Sequence, residues 1–309
     1  MQTKEMIKTI QDGEFDERIL DIYVDATKLA YHKERYVRAI ELFETHYGAG
    51  EAELFSAPGR SEVGGNHTDH QHGEVLAASI NLDTIGIVRK TEDNQIRIIS
   101  DDYDEVIISL DDIECKEEEK ETTTGLIKGV VAGFVERGYK VGGFRAYATS
   151  DVLIGAGLSS SAAFETLIGT ILSGLYNDMG ISAIEIAIIG QYAENERVQK
   201  EVNALKWGDM NLFLDNVKES GDSSFKYLQN VYSNNDVENQ NISIALMMSD
   251  VLLKTEGVSR VHGGGFAGTI QAFVKNDFVV PYKMQMDSIY GEGSCKDLRI
   301  RKYGGMKVI

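Results

Sequence analysis

The sequence has few of the features that mark secreted scaffolds, metal centres or membrane proteins. Cysteine occurs only at Cys115 and Cys295, whose separation supports neither a disulfide framework nor a zinc site. No apolar run is long enough to span a membrane, and the polar stretch from Met1 to Gly13 does not resemble a signal peptide. We therefore predict a cytoplasmic protein with two free thiols and no membrane partner.

Positive charge is also scarce. Lysine and arginine number 31 against 49 aspartates and glutamates, a formal net charge of -18 at pH 7, which argues against a nucleic-acid partner. The 42% hydrophobic content is typical of a soluble globular protein, and 309 residues favour two moderate domains over one large domain. Proline occurs only at Pro58 and Pro281, whereas 31 glycines indicate that glycine loops shape the functional site.

The most informative stretch runs from Ile154 to Ala163, where two glycines precede three consecutive serines. Apolar residues then recur at helical spacing from Phe164 to Leu172, so a glycine turn leads directly into an amphipathic helix. Glycine allows close approach of an anion, and the N–H groups at a helix start stabilise negative charge. The stretch predicts a phosphate-binding loop, although by itself it also fits an ordinary serine N-cap.

A second stretch combines a short strand, residues 54–60, with a loop rich in polar side chains. Asn66, His67 and Asp69 offer hydrogen-bond donors and acceptors suited to sugar hydroxyls, and Arg60 stands at the strand end, where it can meet a phosphate. The histidines and Asp69 also permit a metal-site interpretation. We favour it less, because this is a glycine turn and not a helix with two histidines at i and i+4.

Coarse patterning indicates α+β organisation, with a third glycine loop at residues 260–268. The first half is predicted to be an antiparallel sheet with helices on one side, and the second a smaller α+β unit. Helical periodicity is found at residues 15–47, 124–135, 182–205, 209–217 and 241–253. Strand patterns are found at residues 75–80, 84–88, 95–99, 105–110, 144–149, 269–274 and 298–302.

Taken together, the three loops resemble the motifs of the GHMP small-molecule kinases, and those of galactokinases in particular. Residues 57–69 resemble the family's first motif, residues 155–163 its ATP loop, and residues 263–268 its third, glycine-rich loop. The resemblance extends from about residue 31 to the carboxyl end. It implies an α+β, GHMP-kinase-like two-domain architecture, with an N-terminal domain at residues 1–195 and a shortened C-terminal domain at residues 196–309.

The resemblance also implies roles for individual residues. Arg60 would be catalytic and stabilise the transferring phosphoryl group, while Asn66, His67 and Asp69 would bind the sugar. Ser161 and Glu194 would hold Mg²⁺, which prefers hard oxygen ligands. ATP would be bound by Gly155, Gly157, Leu158, Ser159, Ser160, Ser161 and Ala162. The third glycine loop would contribute Gly263, Gly264, Gly265 and Gly268.

Two departures from the galactokinase pattern affect the expected activity. Asn66 stands where galactokinases usually have glutamate; its side chain still forms hydrogen bonds but is neutral. The glycine-methionine-aspartate-glutamine box, whose aspartate meets the acceptor hydroxyl, is not found after Glu194. The sequence instead continues as a segment that the family carries much later, which indicates an internal loss at about residues 195/196. Asp209 and Asp287 are weak candidates to replace that aspartate.

The resemblance therefore implies a galactokinase-type phosphotransferase that uses ATP and Mg²⁺ to phosphorylate the anomeric hydroxyl of galactose, with impaired activity. A galactokinase-like protein that senses sugar and ATP without turnover is the alternative. A GHMP kinase for another acceptor, such as mevalonate or homoserine, is disfavoured by the sugar-type loop. Loss of sheet partners would expose apolar surface, so we also predict homo-association.

Overall fold

A computed structural model describes most of the chain. The described residues are 1–64, 76–101, 103–114, 116–119, 122–152, 158, 160–188, 196–223, 225, 231–232, 238–263 and 268–309. Their helices are α1 (Thr3–Gln11), α2 (Asp16–Tyr23), α3 (Leu29–Tyr47), α4 (Thr123–Glu136), α5 (Ser160–Asn177), α6 (Ala183–Ile188), α7 (Glu196–Trp207), α8 (Met210–Ser223), α9 (Asn241–Leu253) and α10 (Val279–Tyr290). Within these ranges no helix combines the length and apolarity needed to cross a bilayer.

The main sheet contains six strands in the order β4-β3-β5-β2-β1-β8. A separate hairpin is formed by two further strands, β6 and β7. The strands are β1 (Glu53–Gly64), β2 (Leu76–Lys90), β3 (Gln95–Ser100), β4 (Val106–Ser109), β5 (Phe144–Ser150), β6 (Gly257–Val261), β7 (Ile270–Val274) and β8 (Met306–Lys307). The other pairings of the main sheet are antiparallel, as predicted, whereas β3 and β5 run parallel, so the prediction of an antiparallel sheet was wrong at that pair.

The main sheet is covered by helices on both faces. Alternate residues of a strand point to opposite faces, and in β1 both faces are apolar: Leu54 enters the core beneath α1, α2 and α3, whereas Phe55 enters the core beneath α4 and α5. The same alternation occurs in β5, where Tyr147 faces the first core and Ala146 the second. The prediction of helices on one side was therefore wrong, because both faces must be buried.

The second part of the chain packs around the β6–β7 hairpin. Val217 of α8 and Val63 of β1 belong to one apolar cluster, while Leu253 of α9 and Tyr282 of α10 form another. α8 lies so close to β6 that a Cβ at Gly221 would come within 2.9 Å of the Arg260 Cβ. Among the described residues no further strand pairs with either edge of this hairpin.

The last residues of the chain return to the main sheet. β8 pairs antiparallel with β1, and Ile300 forms an isolated bridge with Ile80. The strand predicted at residues 298–302 is thus reduced to a single bridge. The domain boundary predicted at 195/196 falls at the edge of a segment outside the described residues and stays a prediction.

A buried charged network joins these elements. The fully buried carboxylate of Asp83 on β2 accepts hydrogen bonds from Arg35 of α3 (2.6 Å) and from Tyr23 (2.7 Å). Arg301, near the carboxyl end, lies 3.2 Å from the other carboxylate oxygen, and Ser56 of β1 also donates to Asp83. Burial raises the pKa of Asp83, but the two arginines outweigh it and hold the pKa below its ordinary value.

Candidate active site

Arg60 lies on the second half of β1, next to the predicted phosphate loop. Its backbone N–H donates to the Leu158 carbonyl at 3.1 Å, which joins the strand directly to that motif. The pairing of β1 with β2 shifts register at Gly59, between Pro58 and Arg60. A Cβ at Gly59 would lie 3.1 Å from the Val152 side chain, so glycine permits this close approach.

Two carboxylates, those of Glu62 and Glu165, interact electrostatically with the Arg60 side chain. A guanidinium nitrogen of Arg60 lies 3.7 Å from the carboxylate of Glu62, whose side chain is almost fully buried. Burial raises the pKa of Glu165 on α5, and the nearby Arg60 opposes that rise. Sequence reasoning missed Glu165, although it follows Ser161 by four residues and therefore lies on the same face of a helix. The Arg60 side chain, which extends from β1, is thus influenced by one carboxylate of its own strand and one of α5.

α5 packs against β1. α5 begins at Ser160, and Ser161 is exposed in its first turn. Ala162 is half-buried, while Ala163 packs into an apolar cluster with Leu158 and Val152. A helix start of this kind offers free N–H groups and a positive dipole end to an anion.

Residues that flank the third glycine motif contact the same strand. Arg260 of β6 is fully buried and donates to the Glu62 carbonyl at 2.6 Å. The Ser61 hydroxyl accepts from Gln271 at 2.6 Å and lies 3.3 Å from the His262 Nε2. β6 and β7 are therefore tied to the two residues that follow Arg60. Sequence reasoning assigned residues 260–268 to a loop and missed the strand that makes these contacts.

Gly263 and Gly268, the first and last residues of that third motif, have positive φ angles, which glycine adopts without strain. Gly263 has a φ of 60° and Gly268 a φ of 82°, in the left-handed region that favours glycine. The segment leaves β6 through Gly263 and returns to β7 after Gly268. These two of the four predicted glycines lie at the ends of strands that contact the Arg60 segment.

The remaining predicted site residues lie outside the described residues. They are Asn66, His67 and Asp69 of the sugar loop, Gly155, Gly157 and Ser159 of the ATP loop, Glu194, and Gly264 and Gly265 of the third loop. Their roles stay predictions. Among the described parts of the chain no group of three or more histidines, cysteines, aspartates or glutamates is arranged to hold a metal ion.

In the structure, both candidate replacement aspartates accept hydrogen bonds from nearby residues. Asp209 is exposed and caps α8, where its carboxylate accepts from the Leu212 N–H at 3.0 Å. Asp287 on α10 accepts from Lys283 at 2.8 Å and from the Cys295 N–H at 2.7 Å, which hold its pKa below the ordinary value. Both carboxylates serve local structure.

Two family models match the chain in the regions that carry the first two motifs. The galactokinase galactose-binding signature matches residues 41–90, and the GHMP kinases N terminal domain matches residues 125–206. The chain is therefore similar to the galactokinases of the GHMP kinase family in these two regions. Each match covers part of the chain, and together they include β1, β2 and α5.

Individual relatives agree with this family. The galactokinase of Clostridium tetani is 37% identical over 153 residues, covering 49% of this chain and 38% of the relative. The galactokinase of Lactococcus lactis strain IL1403 is 32% identical over 150 residues, covering 48% and 37%. The matched region thus spans less than two fifths of the length of each of these two relatives.

The likeness in fold extends further than the likeness in sequence. A crystal structure of Lactococcus lactis galactokinase complexed with galactose superposes with a TM-score of 0.69 at 18% identity. That superposition covers 86% of this chain and 97% of the solved chain. At this identity the match establishes the GHMP kinase fold.

Proposed function

We propose that this chain is an ATP-dependent sugar 1-kinase of the galactokinase type, with galactose as the expected acceptor and with impaired turnover. The observation that supports it best is the position of Arg60. Its backbone joins the phosphate-loop motif at Leu158, and the next two residues join the strands that flank the third glycine motif. Described residues within or beside three motifs that are far apart in sequence therefore contact one short segment of β1.

In this proposal the chain's own groups supply positioning and charge. The start of α5, with Ser160 and Ser161, receives the phosphates of ATP, and Arg60 stabilises the charge that develops on the transferring phosphoryl group. Asn66, His67 and Asp69 bind the sugar hydroxyls. Hydroxyl and carboxylate oxygens suit Mg²⁺, so Ser161 and Glu194 would hold the ion, which when bound neutralises phosphate charge.

Impaired turnover is proposed because the usual catalytic aspartate is not found in the sequence. A general base contributes roughly 10²- to 10⁴-fold to such a reaction. Asp209 and Asp287 are both engaged in local structure. The superposition covers 97% of the solved Lactococcus lactis chain, which is compatible with a loss inside this chain.

Calorimetry and an ADP assay on one preparation test this proposal. We expect galactose to bind in the presence of Mg-ATP, and ADP to be released only when galactose is present. The rate should be lower than that of a full-length galactokinase by roughly the 10²- to 10⁴-fold that a base contributes. Mevalonate, in place of galactose, is the control acceptor. Turnover with mevalonate alone would refute the sugar assignment.

The second candidate is a galactokinase-like sensor that binds sugar and ATP without turnover. The missing aspartate favours it, because binding needs the three motifs but not the base. The same experiment separates the two functions: a sensor binds both ligands and releases no ADP with galactose present. Absence of binding for either ligand would refute both.

We also propose homo-association through exposed apolar helix faces in the second part of the chain. Ile244, Met247 and Val251 follow one another at i, i+3 and i+7, so they share one face of α9, and each is about half exposed. On α10, Val280 and Met284 are about two thirds exposed. Such faces commonly mark protein contacts.

Light scattering over a range of protein concentrations tests the association. The wild-type chain is expected to form dimers or larger species, and more so at high salt, because salt screens repulsion between chains of net charge -18. Replacing Met247 and Val251 together with lysine should give a monomer. Val135→Lys, at an exposed apolar position on α4, is the matched control. A wild-type monomer under all conditions would refute the association.

A further inference from the structure

The residue that follows β5 on the way to the phosphate-loop motif is held by the long helix α3. Asp151 follows β5 directly, and its N–H donates to the Asp83 carbonyl at 2.9 Å. From α3, the Arg35 guanidinium donates to the carbonyls of Asp83 (2.9 Å) and Thr149 (3.2 Å). α3 therefore fixes the backbone at the point where the chain leaves β5 for the motif.

The Asp151 side chain receives two further contacts from the same helix. The Tyr31 hydroxyl donates to one carboxylate oxygen at 2.8 Å, and Arg35 lies 3.2 Å from the other. Burial and Asp151 together raise the pKa of Tyr31 to about 12, so the hydroxyl stays a donor throughout the neutral range. The pair borders a cavity of about 310 Å³ beside α3, lined also by Arg38, Asp101 and Tyr147.

Described contacts hold the chain both before the motif and within it. Before the motif, Asp151 contacts Tyr31 and Arg35. Within the motif, the Leu158 carbonyl accepts a hydrogen bond from the Arg60 N–H. Ordering a glycine-rich segment around a ligand costs conformational entropy, and that cost falls when the neighbouring residues are already held in place.

We infer that Tyr31 and Asp151 are positioning residues for nucleotide binding, because their hydrogen bond holds the residue from which the chain leaves β5 towards the phosphate-loop motif. The inference rests on the proposed function, because it presumes that this motif binds ATP. It assigns a role to α3 that none of the three glycine motifs indicates. Neither residue touches the nucleotide in this account, and both act by holding the chain at the end of β5.

The test replaces Tyr31 with phenylalanine and measures two affinities by calorimetry. Tyr31→Phe removes only the hydroxyl of a half-exposed side chain, so the melting temperature should change little. The dissociation constant for Mg-ADP is expected to rise roughly three- to tenfold, the effect of one hydrogen bond to a charged group. The affinity for galactose, which the motif does not bind, should stay within about twofold of wild type.

The chain supplies a matched control on the same helix. Tyr47 also lies on α3, and its hydroxyl also donates to a carboxylate, that of Glu105 at 2.9 Å. Tyr47→Phe therefore removes the same type of bond from the same helix, away from Asp151. It is expected to leave both dissociation constants unchanged. An equal loss of Mg-ADP affinity in both variants would overturn the inference, because it would show a general effect on α3.

A double-mutant cycle identifies the partner of Tyr31. Asp151→Ala should weaken Mg-ADP binding more than Tyr31→Phe, since it removes both the acceptor of the Tyr31 hydrogen bond and the ion pair with Arg35. The double variant should bind like Asp151→Ala alone, because both changes remove the same hydrogen bond. Additive losses, or unchanged Mg-ADP affinity in Tyr31→Phe, would overturn the inference while the wild type still binds. Failure of the wild type to bind Mg-ADP would overturn the proposed function as well.

Discussion

Replacing Asp83 with asparagine is expected to lower the free energy of unfolding by about 3–5 kcal/mol, the cost of leaving a buried charge without its partner. Asparagine has nearly the same shape, so the loss would come from charge and not from a cavity. Arg35 and Arg301, both almost fully buried, would then face a neutral amide. Thermal unfolding should shift downward by on the order of 10 °C.

The matched control is another aspartate paired with arginine at the protein surface. Asp93 accepts from Arg145 at 2.9 Å, but both side chains are more than a third exposed. Exposed pairs contribute roughly 0–1 kcal/mol, so Asp93→Asn should be nearly neutral. Equal effects of the two substitutions in urea unfolding would contradict the account of the buried network.

The same network predicts the direction of the pH dependence. The folded-state pKa of Asp83 lies below its ordinary value, so its stabilisation is fully present above the ordinary pKa of about 4. That contribution is lost as the pH falls towards the lower folded-state value, because the unfolded state then binds the proton more readily. The difference in stability between wild type and Asp83→Asn should therefore shrink in acid.

Local patterns in the sequence predicted those elements whose apolar residues recur regularly. α9 was predicted with its observed bounds, and α4 and β5 to within about a residue at each end. Each of these elements has one clear periodicity, which determines both its type and its buried face. The three glycine motifs were also recognisable, because glycine and serine in a fixed order carry information without any tertiary context.

Elements that depend on distant partners were missed. α1 presents few apolar residues, chiefly Met6 and Ile10, and is buried through contact with the core under α3. Pro281 argues against a helix in the sequence, yet it lies in the first turn of α10, where its missing N–H has no helical partner. The strand predicted at 298–302 is reduced to one bridge with β2, in which the Arg301 N–H donates to the Ser79 carbonyl and the Asn81 N–H donates to the Arg299 carbonyl.

In the candidate site, too, local sequence patterns were recognisable and contacts between distant residues were not. The sequence identified Arg60, Ser160 and Ser161 by residue type and order. It did not identify Arg260, whose buried guanidinium binds the Glu62 carbonyl across 198 positions of sequence. A single arginine in an apolar strand carries no local signal of its partner. Contacts of this kind follow from the topology that places β6 beside β1.

Replacing Ser161 with leucine is expected to abolish Mg-ATP binding, with a loss in affinity of at least about a hundredfold, or roughly 2.7 kcal/mol. Ser161 is exposed in the first turn of α5, where the proposal places the phosphates. Leucine removes the hydroxyl and sets a branched side chain over the helix start. Because the position is exposed and leucine is a good helix former, the melting temperature should not fall.

Two further variants distinguish loss of the Ser161 hydroxyl from steric blocking by leucine. Ser161→Ala keeps the space open but removes the proposed Mg²⁺ ligand, so it should weaken Mg-ATP binding less than leucine does. Ser288→Leu makes the same change at an exposed serine on α10 and should leave Mg-ATP binding intact. Calorimetry with Mg-ATP gives all three affinities. Wild-type affinity in Ser161→Leu would refute the phosphate site at α5, because no anion could then occupy the space that the leucine fills.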